Sequence, residues 1–204
     1  MDRSDVRREW DRISETYADR RDPSGSDAGL IGAVLETIDG TPLALDVGCG
    51  DGARTLANLP SGSIGIDISR SGLSLAAETV PKSRLVEGEM TALPIADNAV
   101  DLITAYHSVF HVPRAEHPAV YREFARVLVD GGQVLMTLPG GRFETVRRGW
   151  MGGRMLFSAP GKQTTLNQLK EAGFVDIQIR TVDDPLGSQS EFAIARLDEA
   201  AIAE

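Results

Sequence analysis

The chain has 204 residues, 30 of them acidic and 21 basic, a net charge of −9 and one cysteine; that length carries one domain with a substantial core, and a lone cysteine excludes an internal disulfide framework. Its longest run without a polar residue, residues 28–35, is far short of the roughly 20 a membrane-spanning helix needs, and Met1-Asp2-Arg3-Ser4-Asp5 opens no secretory signal, so no membrane association and a cytoplasmic location are expected. Only Lys82, Lys162 and Lys170 are lysine. This acidic, lysine-poor balance reads as halophilic, with the Arg codons of a GC-rich genome as the blander cause, and it makes unaided binding to a nucleic-acid backbone unlikely because that needs clustered cations.

Val6, Trp10, Ile13 and Tyr17 fall on one face of an N-terminal helix, and a second helix follows before residue 40. Residues 1–40 are therefore expected to form a helical arm or lid, ahead of a domain over 41–204. Leu43–Val47 reads as a buried strand ending at Gly48-Cys49-Gly50-Asp51-Gly52, with a helical stretch over 53–58. Ser63–Ile68, Arg84–Glu87 and Ala99–Ala105 read as further strands, with a helix over Leu73–Val80. Val120, Phe124, Val127 and Leu128 mark a helix over Glu116–Val129, which Asp130-Gly131-Gly132 stops before strand Gln133–Leu138. Gly140–Gly161 reads as an irregular, arginine-bearing segment suited to an acceptor lid. A helix over Thr165–Ala172 precedes strands Phe174–Val182 and Ser190–Leu197, whose short connection permits only antiparallel pairing. Alternation of strands and helices implies a mostly parallel, doubly wound α/β sheet closed by an antiparallel C-terminal hairpin.

The glycines after the first strand let the chain turn tightly and let a ligand lie against bare backbone at the carboxyl ends of the strands. With Ala53 they also fit the dinucleotide fingerprint G-x-G-x-x-A, so an NAD(P)-dependent oxidoreductase is one reading. Asp46 argues against it, because a carboxylate beneath the ligand repels a pyrophosphate and welcomes an ammonium. Asp67, ending the second strand, is placed to accept hydrogen bonds from ribose hydroxyls, and Glu89-Met90 can read the edge of an adenine. Three acids around one crevice suit a cationic nucleoside.

Leu45–Gly52, Gly65-Ile66-Asp67-Ile68-Ser69, Val86–Pro94, Asn98–Ile103 and Arg126–Gly132 resemble, in order and spacing, the motifs of class I S-adenosylmethionine-dependent methyltransferases of the small UbiE-like type. The resemblance implies a Rossmann-like seven-stranded sheet and S-adenosylmethionine as methyl donor. It implies that Asp46, Gly48 and Gly50 line the methionine part, Asp67 holds the ribose and Ile68 packs on adenine. Glu89, where the family commonly has Asp, and Met90 would read the adenine edge; the Ala105 carbonyl, with Tyr106 beside it, would meet the ammonium. Tyr17 would close over the donor and Arg21 would pair with its carboxylate. The acceptor could be a small molecule, or RNA or protein with help from a partner. Some relatives work with a small zinc-binding activator that pairs with the third-strand edge, here Arg84–Glu87.

Other residues have plain readings beside functional ones. Cys49 fits the loop by being small. His107 and His111, four apart, could face one site, and with Tyr106 they are candidate catalytic groups, although locally satisfied histidines are the commoner case. His117 supplies no third ligand of suitable spacing, so no metal is expected. A non-catalytic subunit that keeps the donor site is the remaining alternative.

Overall fold

The computed structural model describes residues 1–21, 25, 28–183 and 189–202. Helix α1 (Arg3–Arg20) is capped by Asp2, whose side chain accepts from the Asp5 backbone N–H at 2.8 Å. Helix α2 (Ala28–Leu35) leads to strand β1 (Ala44–Val47), every residue of which is buried. Strand β2 (Ile64–Asp67), helix α3 (Arg70–Thr79), strand β3 (Arg84–Glu87) and strand β4 (Val100–Ala105) follow. Helix α4 (His117–Val127) runs straight into strand β5 (Leu128–Thr137). Strands β6 (Arg142–Trp150) and β7 (Gly153–Pro160), helix α5 (Lys162–Glu171) and strands β8 (Phe174–Asp183) and β9 (Gln189–Leu197) complete the order.

The main sheet has seven strands in the order β3-β2-β1-β4-β5-β9-β8. The first five are parallel, and β9 runs antiparallel to both β5 and β8. Neighbouring residues on the central strands face opposite layers. Leu102 and Leu135 pack with Ile31 and Val34 of α2 on one side, while Ile103, Val134 and Met136 pack with Val120, Phe124 and Phe174 on the other. Helix α2 is thus one of the sheet's covering layers. Because the chain winds from β1 out to β3 and then returns to β4, the strand order reverses between β1 and β4. A crevice opens there at the carboxyl ends of the strands.

Three expectations need correction. The stretch 53–58 is not an α-helix but turns with a short 3-10 helix, Leu56–Asn58; the space between Gly52 and Pro60 is too short to repay helix nucleation. The glycine pair after α4 does not separate helix from strand: β5 already begins at Leu128, with an irregularity opposite Val100 and Leu102. The segment 140–161 is not irregular. Strands β6 and β7 pair antiparallel as a separate hairpin, with Trp150 opposite Gly153. Met151 and Gly152 both have positive φ, +49° and +80°, the conformation of a two-residue turn that matches strand twist. The connection between β8 and β9, residues 184–188, lies outside the described residues. Among those described, no helix is long and apolar enough to cross a membrane.

Candidate functional site

The crevice is walled by the β1 loop, the ends of β2 and β4, the segment after β3, and α1 as a roof. Its floor is shaped by Gly48 and Gly50, with φ of +79° and +56°. A Cβ on Gly48 would lie 2.3 Å from the Ser108 Cβ, so the loops after β1 and β4 close together only because that atom is missing. Ser108 fixes this contact by donating to the Val47 carbonyl at 2.8 Å. Beside Gly50, by contrast, a Cβ would meet nothing within 4 Å, leaving open space against bare backbone.

Asp46 lies one layer below and does not itself line the crevice. It is fully buried, and its oxygens accept from the hydroxyls of Thr55 and of Thr104, the latter at 2.7 Å. Burial pushes its carboxyl up to about 6; the two hydroxyls partly oppose that shift, and the Arg21 charge opposes it further. Asp67 accepts from the Gly50 and Ser69 N–H groups, each at 2.8 Å, yet burial still raises its pKa. The Ile68 N–H also bonds to this carboxylate, and its two oxygens still have a lone pair left for a hydroxyl donor. Ile68 and Met90 line the same wall.

Glu89 is engaged rather than open: Arg3 donates to it at 2.7 Å and also to Glu116. That contact is one of several holding α1 over the crevice. Asp11 accepts from the Ser69 hydroxyl at 2.9 Å, and the Arg154 N–H donates to Glu9 at 3.2 Å. Gly153 of the hairpin permits the last approach, since a Cβ there would come within 2.9 Å of Glu9 and 2.4 Å of Arg12. Further along α1, Tyr17 accepts from Arg21, whose guanidinium also lies 5.1 Å from the Tyr17 ring centre. Arg54, buried in the crevice wall, is a cation that sequence reasoning missed because its stretch reads as helix. Its place just past an acidic glycine loop is the signal that could have found it.

Tyr106 lines the crevice and packs against Phe192 with ring centres 4.6 Å apart; Ala105 is buried at the end of β4. His107 has a φ of +52° and, like His111, lines the crevice. The His111 ring sits among Trp10, Phe110, Phe157 and Trp150, with centres 5.1, 4.7, 4.9 and 6.0 Å away. This aromatic wall joins α1, the turn after β4 and the hairpin, and the hairpin's misreading hid it from the sequence. His117 is structural: its Nε2 is 3.1 Å from the Val112 carbonyl. Burial raises the Cys49 thiol, so Cys49 packs as a small neutral group. Among the described residues no cluster of His, Cys, Asp and Glu could hold a metal.

The family described as "Methyltransferase domain" matches residues 45–136, from the first residues of β1 to the end of β5. Demethylmenaquinone methyltransferase of Staphylococcus aureus is 29% identical, over 68% of this chain and 70% of that protein. The chain thus carries a methyltransferase domain over residues 45–136 and is similar to the class I S-adenosylmethionine-dependent methyltransferases. Its methyl donor is S-adenosylmethionine, and the oxidoreductase reading is set aside. Solved methyltransferases share the fold. One is a putative methyltransferase in complex with the Haloferax volcanii Trm112 methyltransferase activator, 14% identical over 95% of this chain and 97% of that one, TM-score 0.73. Another is the Burkholderia thailandensis 1,6-didemethyltoxoflavin-N1-methyltransferase with bound 1,6-didemethyltoxoflavin and S-adenosylhomocysteine, 15% identical over 93% of this chain and 87% of that one, TM-score 0.69.

Proposed function

We propose that this methyltransferase acts on a small molecule held in the chamber between α1, the turn after β4 and the β6–β7 hairpin. The observation that carries this reading is the roofed crevice, which runs from carboxylate-backed glycine loops to a wall of aromatic rings. A net charge of −9 and the roof both disfavour an extended polyanion as acceptor.

The residues present fit the donor. Open backbone at Gly50 suits close approach of its methionine part, and Asp46 beneath supplies negative charge toward an ammonium, as does the Ala105 carbonyl. Arg21 and Arg54 offer cations for a carboxylate, with Tyr17 covering them. Asp67 keeps a lone pair for a ribose hydroxyl, and Ile68 gives an apolar face to adenine. Met90 offers backbone to the adenine edge, while Glu89 can do so only in competition with Arg3. The donor supplies a methyl group already activated on a sulfonium, so the chain's contribution is alignment and exclusion of water.

Residues 1–40 serve this reading unequally, with α1 as lid and the hairpin over 140–161 as the opposite jaw of the acceptor chamber. Strand β3 is one edge of the sheet, and Arg84–Glu87 could pair with a strand of a small zinc-binding activator; the Haloferax complex with the same fold supports that partner. Acid excess and scarce lysine support a salty cytoplasm as the setting. Titration calorimetry with S-adenosylmethionine tests the donor site: no heat, or equal affinity in Asp67→Ala, overturns it. Incubation with methyl-labelled donor and separated RNA, protein and metabolite fractions tests the acceptor class. Label in the metabolite fraction is expected, and label confined to RNA or protein overturns the small-molecule reading.

A further inference from the structure

We propose that His111 is the proton acceptor of the transfer and that the acceptor is a flat aromatic hydroxyl compound. This rests on the methyltransferase reading above and adds a substrate class and a catalytic residue to it.

His111 Nδ1 lies 2.8 Å from the Leu156 carbonyl oxygen, which can only accept, so the proton sits on Nδ1 and Nε2 carries the lone pair. Nε2 makes no hydrogen bond among the described residues, nor is it a sealed, unpartnered atom, and the residue lines the crevice. The lone pair therefore reaches the cavity. Burial also holds the imidazole neutral, pushing its pKa down to about 4 with only the Leu156 contact opposing. A neutral, fixed imidazole with its lone pair toward the cavity is placed to take a proton; burial weakens it as a base, and the positive charge that the sulfonium gives up during transfer offsets that burial.

The neighbours select the partner. Trp10 meets His111 edge-on, and Trp10 and Trp150 meet each other edge-on with ring centres 5.6 Å apart. Phe110 and Phe157 stack at 5.7 Å with an interplanar angle of 20°. Such walls favour a flat ring, and no charged side chain perturbs His111, so the ring needs no charge of its own.

The step balances. A lone pair on the acceptor oxygen forms the new bond to the methyl carbon, and the carbon–sulfur pair leaves with the sulfur of the sulfonium donor, giving a neutral thioether. The hydroxyl proton passes to His111 Nε2. One positive charge moves from sulfonium to imidazolium, so the closed chamber holds the same net charge before and after.

The test uses the full chain with 1-naphthol as probe, anisole-type 1-methoxynaphthalene as the control lacking the proton, and His111→Asn, which keeps a donor near the Leu156 carbonyl. In the native chain, 15N NMR should show the Nδ1–H tautomer, and 1-naphthol added to the S-adenosylhomocysteine complex should shift Nε2 and quench Trp10 and Trp150 fluorescence. With labelled donor, 1-naphthol should gain methyl, and His111→Asn should lower that rate by about 100-fold or more with donor affinity changed less than twofold. An Nε2–H tautomer, no naphthol contact at His111, or an equal rate in His111→Asn overturns the proposal. Should the asparagine variant fail to fold, the native NMR result decides. Failure of donor binding instead strikes the methyltransferase site itself, and calorimetry reads that separately.

Discussion

The sharpest consequence of burying a carboxylate under a cationic ligand is a pH-linked affinity. Asp46 is wholly buried and holds its proton up to about pH 6 in the unliganded protein. A donor bearing an ammonium and a sulfonium favours the ionised form and draws that value down again. With a return to ~4, linkage predicts about tenfold tighter binding at pH 7.5 than at pH 5 and release of ~0.8 proton per donor bound at pH 5, against almost none at pH 7.5. The sign for stability runs the other way in the unliganded chain. A carboxyl raised above its unfolded value of ~3.9 costs nothing below that pH and up to ~3 kcal/mol above pH 6, so this contribution is lost as pH rises. Calorimetry in two buffers of different ionisation enthalpy reads the proton count directly. Asp46→Asn should abolish the release, flatten the pH dependence and weaken binding at pH 7.5 by about 100-fold. Unchanged proton release in Asp46→Asn, or native affinity that is flat from pH 5 to 7.5, would refute the reasoning.

Gly48→Ala combines a Cβ 2.3 Å from Ser108 with a φ of +79°, and thermal unfolding should show a loss of at least ~2 kcal/mol. Gly50→Ala has room for its methyl group and should cost only ~1–2 kcal/mol, yet it fills the space left for the donor, and calorimetry should show at least tenfold weaker binding. Arg3→Ala removes exposed pairs to Glu89 and Glu116, worth under ~1 kcal/mol in unfolding. Stopped-flow tryptophan fluorescence should show faster donor association and dissociation, because α1 lifts more readily from the crevice.

The sheet was largely legible because its signals are local. Strand β1 is a short apolar run closed by glycines, and α4 carries its apolar stripe at helical spacing, so element types follow from neighbouring residues alone. Asp67 was legible for the same reason: its place at the end of β2 puts it at the crevice. The hairpin was not, since β6 is exposed along most of its length and no alternation of apolar and polar residues marks it. Its turn at Met151 and Gly152 is the one local sign, and a methionine at positive φ is a poor advertisement for it. Long-range pairings were equally hidden: Arg3 and Glu89 are 86 positions apart, and only the packing of α1 joins them. The aromatic wall draws Trp10, His111, Trp150 and Phe157 from three separate segments, so no motif could announce it.

The central claim is that S-adenosylmethionine lies in the crevice between β1 and β4 with its reactive end toward the aromatic wall. A crystal structure of the chain with S-adenosylhomocysteine tests it most directly. The account predicts a ribose hydroxyl on Asp67, backbone contact at Gly50, and the sulfur facing the side of the crevice that holds His111. A ligand bound elsewhere, or one whose ribose does not touch Asp67, would contradict it.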